Sequence, residues 1–399
     1  MGKEYMEKAF SENTAGLRPS AIREIFKSLT DPSVISFAAG NPSPESFPVS
    51  DIKRFTDIIL EENAASALQY GITEGFTPLR GAVLERNKRI FGIGRDYDTA
   101  IITSGGQQGI DLTAKVFCNR GDTVICEDPT FIGALNAFRA HGLNTKGVPM
   151  RDGGIDPDEL ESVIKSSHKP KLLYLIPTFQ NPTGRTMPYE TRKRVLDIAK
   201  KYGLMILEDN PYGELRFSGE DIPTIKSMDD EGRVVYCSSF SKILSSGMRV
   251  GYVICDNETA SKIAVCKQVN DVHTNLLFQM VCHKFLTEYD LDAHIAKIRE
   301  LYKRKSALML SCLDDIGDSR IEYTRPDGGL FIWAWLKDFG DHDGFIKKLA
   351  AKKLVVVPGR TFNCDEEKPS DGFRLNYSTP SDEQIIKGTE ILKETLKEI

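Results

Sequence analysis

Histidine and tryptophan are scarce in this chain, six and two among 399 residues. The histidines fall at no ligand spacing, so no metal site is expected. The eight cysteines, at 118, 126, 237, 255, 266, 282, 312 and 364, include no Cys-x-x-Cys pair. Several stand in apolar, strand-like runs where a free thiol behaves as a small hydrophobe, and a reduced cytoplasm is the expected setting. Excess positive charge is missing as well. A formal charge of −5 and a pI near 5.8 give no electrostatic reason to expect nucleic acid or a membrane surface. No run approaches the roughly 20 apolar residues that span a bilayer. The opening Met1-Gly2-Lys3-Glu4-Tyr5-Met6-Glu7-Lys8 mixes charges and is not expected to act as a secretory signal.

What remains is an ordinary globular composition, 40% hydrophobic and 27% charged, long enough for two or three domains. The middle of the chain alternates β-branched runs with helical patterns. Strands are expected at Thr99 to Ser104, Asp122 to Glu127, Lys171 to Pro177, Leu204 to Asp209, Arg233 to Ser238 and Val250 to Cys255. Helices are expected at Gln108 to Phe117, Asp156 to Ser166 and Pro188 to Tyr202. The second of these opens on Asp156-Pro157, an N-cap residue before a proline. This alternation predicts an α/β domain over residues 49–289, with a mostly parallel central sheet flanked by helices. From about Asp290 the texture changes. A long charged helix, Leu291 to Cys312, leads to strands at Ile321 to Thr324 and Leu330 to Leu336, then helix, strand and helix. A smaller α+β domain over 290–399 is the expectation. Residues 1–48 have too little apolar periodicity to fold alone and are expected to pack on the small domain beside the site entrance.

Lys242 is the most informative single residue. It follows the apolar run Arg233-Val234-Val235-Tyr236-Cys237 within Ser238-Ser239-Phe240-Ser241-Lys242, and Arg249 lies seven residues on, before another strand. On this run alone it reads equally as a surface lysine or as a strand-end amine suited to a Schiff base with a phosphorylated aldehyde. Five further segments bear on the choice, and all are expected at the carboxyl edge of the sheet.

Thr103-Ser104-Gly105-Gly106-Gln107-Gln108-Gly109 joins strand to helix, either as a plain turn or as an anion site at a helix N-terminus. Ile176-Pro177-Thr178-Phe179-Gln180-Asn181-Pro182-Thr183-Gly184 is more elaborate than a turn requires and places the Asn181 amide as a donor in a cleft. Ile206-Leu207-Glu208-Asp209-Asn210-Pro211-Tyr212 ends a strand on Asp209, a carboxylate that is costly there unless paired with a cation such as a protonated pyridine. Its other reading is a cap or turn residue. Tyr212 could donate to a phenolic oxygen on the same ring. Glu127-Asp128-Pro129-Thr130-Phe131 offers an aromatic side chain, as core or as a stacking platform. Gly372-Phe373-Arg374-Leu375-Asn376-Tyr377-Ser378 holds Arg374 among apolar neighbours, in a structural ion pair or as a fork for a substrate carboxylate.

Together, from about Phe37 to Thr379, these segments resemble the fold-type I, aspartate-aminotransferase-like family of pyridoxal phosphate (PLP) enzymes. The resemblance implies that Lys242 is the Schiff-base lysine and the α-proton shuttle. It implies Asp209 on the pyridinium nitrogen, Asn181 and Tyr212 on the phenolic oxygen, and Phe131 on the ring face. Gly106, Gln107, Ser239 and Arg249 would hold the phosphate, and Arg374 the substrate α-carboxylate. Many relatives have serine where Gly106 stands, so only its backbone can serve. Tyr70, in Leu68-Gln69-Tyr70-Gly71-Ile72-Thr73-Glu74-Gly75, matches a tyrosine that reaches the partner subunit's phosphate, which implies a C2 homodimer with shared sites.

Two early segments narrow the resemblance. Arg18-Pro19-Ser20-Ala21-Ile22-Arg23-Glu24-Ile25 and Ser36-Phe37-Ala38-Ala39-Gly40-Asn41-Pro42 are similar to the subgroup of α-aminoadipate, kynurenine and aromatic aminotransferases, often broad in substrate. There Arg23 would meet acidic substrate side chains, and Gly40 would offer a backbone contact to substrate. The expected activity is transfer of an amino group from an L-amino acid to an α-keto acid such as α-ketoglutarate. The alternatives are a PLP-dependent β-eliminating lyase on the same fold, or a non-catalytic effector-sensing domain. The latter needs a basic winged-helix segment ahead of Ser36 that is not expected here.

Overall fold

The computed structural model describes residues 31–399 apart from Pro32 and Asp152. A short strand, β1 (Ile35–Ser36), comes first and lies outside the main sheet. The central part of the chain then supplies β2 (Asp98–Thr103), β3 (Thr123–Asp128), β4 (Asn144–Arg151), β5 (Gly154–Ile155), β6 (Pro170–Leu175), β7 (Met205–Asp209), β8 (Val234–Ser239) and β9 (Gly251–Asp256). These form one eight-stranded sheet in the order β2-β9-β8-β7-β6-β3-β4-β5. From β8 through β7, β6 and β3 to β4 all pairs are parallel. By contrast, β9 runs against both its neighbours and β5 runs against β4.

The main strands are long apolar runs because helices cover both faces of the sheet. Successive side chains point to opposite sides. Val124, Cys126, Leu172 and Leu207 pack one face against the helices Gly106–Phe117 and Ile132–Ala140. Ile125, Leu173, Leu175 and Ile206 pack the other face against Pro157–Ser166 and Tyr189–Tyr202. Each such fully buried side chain contributes roughly 1.5–3 kcal/mol, and a slip of one residue would exchange the two faces. The helix Pro157–Ser166 starts as its sequence predicts: Asp156 Oδ1 accepts from the N–H of Asp158 at 2.9 Å and of Glu159 at 3.3 Å.

Beyond the helix Leu291–Asp314 come β10 (Ile321–Tyr323), β11 (Phe331–Leu336), β12 (Leu354–Val355), β13 (Val357–Pro358) and β14 (Gly372–Asn376). A second, antiparallel sheet takes the order β10-β11-β14-β13, while β1 pairs in parallel with β12. The helices Leu291–Asp314 and Asp382–Leu396 pack together, with Met309, Leu313, Ile385 and Leu392 in one core. Residues 37–41 are tied to β14. The Asn376 N–H donates to Phe37 O at 2.8 Å, and Ser378 Oγ donates to Asn41 O at 2.7 Å.

One expectation is corrected here. The segment around Arg374 does not sit at the carboxyl edge of the main sheet. It forms β14, held between β11 and β13 by antiparallel pairing, and presents Arg374 from the second sheet. Among the described residues, no helix is long and apolar enough to cross a membrane.

Candidate active site

A cavity of about 340 Å³ gathers residues from both sheets. It is lined by Lys242, Asp209, Tyr212, Asn181, Gly106, Gln107, Phe131, Ser239, Arg249, Gly40 and Arg374. Asn41, Ile110, Ile176, Pro211, Ser241 and Ser246 complete the wall; sequence reasoning had assigned none of these a role. Tyr70, expected at the partner subunit's phosphate, does not line this cavity. Tyr70 is 80% exposed, with its ring against that of His273 at 5.8 Å. Arg23 lies outside the described residues.

Lys242 ends the single 3₁₀ turn Phe240–Lys242 that directly follows β8. Ser239 starts that turn: its Oγ accepts from the Ser241 N–H at 3.0 Å and donates to Ser241 Oγ at 2.7 Å. Lys242 Nζ donates to the Gly40 carbonyl at 2.7 Å. Burial, with the charges of Arg374 and Arg249, pushes this lysine down to about 8 against the pull of Asp209. A useful fraction is therefore the neutral, nucleophilic amine near neutral pH.

Asp209 ends β7, and its Oδ2 accepts from Tyr174 Oη, on neighbouring β6, at 2.8 Å. Burial raises Asp209 to about 7, while the Tyr174 hydrogen bond and the Lys242 charge oppose the rise. Tyr174 was not singled out from sequence. Its only signal was a tyrosine inside an otherwise apolar strand, whose hydroxyl must find a partner when buried.

Arg374 is 1% exposed, and burial lowers it to about 10. Its Nη1 donates to Asn181 Oδ1 at 2.9 Å and its Nη2 to Ala38 O at 2.7 Å. The guanidinium carbon lies 4.2 Å from the Phe331 ring centroid. Nε is buried without a partner, and among the described residues no carboxylate pairs with this cation. Arg374 can only donate, so it fixes the Asn181 amide with Oδ1 toward itself. Burial raises the Tyr212 phenol, and the Arg374 charge partly offsets that rise.

The third corner is suited to an anion. The helix Gly106–Phe117 starts at Gly105, where φ is 80°, and no side chain caps it. Its first N–H groups and its dipole therefore favour a negative group there. Because β9 is reversed, Gly251 pairs with Thr103 on one side and Ser239 on the other, which delivers Arg249 to this same edge. Arg249 has a φ of 52°, a left-handed conformation that costs energy for a residue with a side chain. Its guanidinium donates to Ser246 O at 3.1 Å and to Ser104 O at 3.3 Å. At that positive φ any residue with a side chain would be strained, and a Cβ on Gly105 would push the Arg249 guanidinium aside. Gln107 is turned aside, with Nε2 on Gly133 O at 2.8 Å, which leaves its backbone for the corner.

A buried acid, an uncapped helix start beside a strained arginine, and a lysine of depressed basicity fit the ring nitrogen, phosphate and aldehyde of pyridoxal phosphate. The unpaired Arg374 Nε fits a second, carboxylate-bearing molecule. Fold and site thus define the class of pyridoxal-phosphate enzymes built on a doubly covered sheet. More narrowly, the family model for aminotransferase class I and II matches residues 32–392, and the chain belongs to that family. It is 41% identical over 98% of its length to aromatic-amino-acid aminotransferase 1 of Thermococcus litoralis, of which it covers 95%. It is 37% identical to 2-aminoadipate transaminase of Thermus thermophilus, over 98% of this chain and 97% of the other. The crystal structure of Pyrococcus horikoshii kynurenine aminotransferase with pyridoxamine phosphate and kynurenine superposes with a TM-score of 0.94, at 37% identity and 98% of both chains. The protein is a fold-type I PLP-dependent aminotransferase of the aminoadipate, kynurenine and aromatic subgroup, and amino-group transfer rather than β-elimination is its reaction.

Proposed function

We propose that the enzyme accepts aromatic or aminoadipate-like L-amino acids, or a broad range that includes them, and passes the amino group to an α-keto acid such as α-ketoglutarate. The observation that carries this reading is the buried, carboxylate-free Arg374 facing the cavity that holds Lys242. A planar guanidinium of this kind suits an α-carboxylate bidentately. The names of the relatives, aromatic, aminoadipate and kynurenine aminotransferases, support the range.

In this reading Lys242 is the Schiff-base lysine, and its freed Nζ takes the proton from the substrate Cα. Bound PLP supplies the electron sink that makes that proton acidic. Asp209, oriented by Tyr174, holds a proton at the ring nitrogen. Asn181 and Tyr212 donate to the phenolic oxygen, and Phe131 covers the ring. The backbones of Gly106 and Gln107, with Ser239 and Arg249, hold the phosphate. Gly40 borders the substrate, and Arg23 admits acidic side chains.

The proposed assembly is a homodimer in which Tyr70 completes the partner's phosphate site. Leu68 (73% exposed), Tyr70 and Val269 (78%) are exposed apolar side chains, and the Tyr70 ring packs on His273, four residues from Val269, which supports a two-fold interface there. Free thiols at all eight cysteines support a cytoplasmic setting. We assign residues 49–289 to the cofactor-binding domain, 290–399 to the small domain, and 1–48 to the entrance segment. A donor panel with α-ketoglutarate as acceptor tests the substrate reading. Turnover of aromatic, kynurenine or aminoadipate donors above small neutral ones is expected. A preference for alanine alone would overturn it.

A further inference from the structure

Behind the turn that precedes the helix Gly106–Phe117 lies a buried polar cluster with no obvious part in the chemistry. Lys267, on the helix Asn257–Gln268, has a wholly buried side chain. Its ammonium reaches both oxygens of Asp271 at 2.7 and 2.8 Å, and Gln108 Oε1 and Thr274 Oγ1 at 2.9 Å each. The same partners grip Ser104. Ser104 Oγ donates to Asp271 Oδ2 at 2.7 Å and lies 3.1 Å from Thr274 Oγ1, and the Ser104 N–H donates to Gln108 Oε1 at 2.8 Å. The Ser104 carbonyl in turn accepts from Arg249 Nη2. Neither Lys267 nor Asp271 lines the cavity.

Burying the Lys267 ammonium is expensive even with the half-buried Asp271 carboxylate beside it, and apolar residues of similar volume often stabilise a fold as well or better. The expense here falls on Ser104, two positions before Gly106 of the cavity wall. Ser104 stands between the end of β2 and the uncapped helix start, where the Gly106 and Gln107 N–H groups have no backbone partner, so any rotation of it moves both those donors and the Arg249 guanidinium. We infer that Lys267 and Asp271 are positioning residues for the phosphate corner: they lock Ser104 so that the amides after it and Arg249 converge on one anion. This rests on the proposed placement of the cofactor phosphate at that corner.

The test compares PLP with pyridoxal, which has the same ring and aldehyde but no phosphate. Cofactor-free wild type, Lys267→Met, Asp271→Asn and Ser104→Ala are each titrated with both, following the visible absorbance of the lysine-bound form. The PLP dissociation constant should rise about tenfold or more in the variants, while that for pyridoxal stays within about twofold. Equal weakening of both ligands would mean that the cluster only holds the fold together, and unchanged affinity for PLP would also overturn the inference. If wild type itself binds PLP no more tightly than pyridoxal, the phosphate placement fails and the inference fails with it. Ser104→Ala removes a single hydroxyl and keeps the test decisive should Lys267→Met not fold.

Discussion

At Lys242 two effects of opposite sign meet. Burial and two guanidinium groups drive the proton off, Asp209 retains it, and burial wins. A lysine with a lowered value binds cofactor aldehyde through its neutral form, so capture should be slow below about pH 8 and level off above it. Stopped-flow mixing of cofactor-free protein with PLP from about pH 6 to about pH 9 checks this, with Lys242→Ala as the control that captures nothing. A flat profile would contradict it. Arg374 makes the complementary case. Arg374→Ala removes the carboxylate fork and the Asn181 anchor, and should raise KM for the amino acid by roughly 10–100-fold with a smaller loss in kcat. Steady-state kinetics on both substrates separate the two. Each of these residues could be singled out in the sequence because an odd side chain stood in an apolar run. Their partners could not: nothing local ties Tyr174 to Asp209, or Ser104 to Lys267, 163 positions apart in the chain.

At the scale of elements, long apolar runs were legible and interrupted ones were not. The six strands expected in the middle of the chain form within one or two residues of their expected ends. The strand β4 was not expected, because Gly147 and Pro149 break its pattern and only Val148 of its eight residues is buried. The helix Ile132–Ala140 was also missed, since apolar side chains on most of its surface leave no stripe of helical period. The direction of β9 was the consequential unknown. Its reversal brings Gly251 under the anion turn, where an added Cβ would lie 2.7 Å from Gly105 C and 2.8 Å from Gly106 N. Gly251→Ala should therefore lower the melting temperature, by about 1–3 kcal/mol of stability, and weaken PLP binding as well. Calorimetry and cofactor titration on the same preparation check both effects, and loss of neither would mean that the turn is more yielding than its packing implies.

The whole molecule poses the question of what covers Leu68, Tyr70 and Val269. In the proposed dimer the chain sediments at twice its 44.5 kDa. Val269→Asp places a charge in that apolar surface and should shift the enzyme toward monomer, with a parallel loss of PLP affinity because Tyr70 would no longer reach the partner's site. Analytical ultracentrifugation at several concentrations measures the first, and cofactor titration the second. A variant that remains dimeric would move the interface elsewhere.

The sequence by itself determined the six long apolar strands of the middle of the chain, that their sheet is covered on both faces, and which side chains were candidates for the site. Apolar periodicity and an unpaired charge in an apolar run are local properties, readable without partners. Only the tertiary structure decided that Arg374 crosses from the second sheet, that Tyr174 governs Asp209, and that a reversed strand carries Arg249 to the helix start. Those are pairings between distant residues, and their register is set by the packing of the whole core rather than by any one segment.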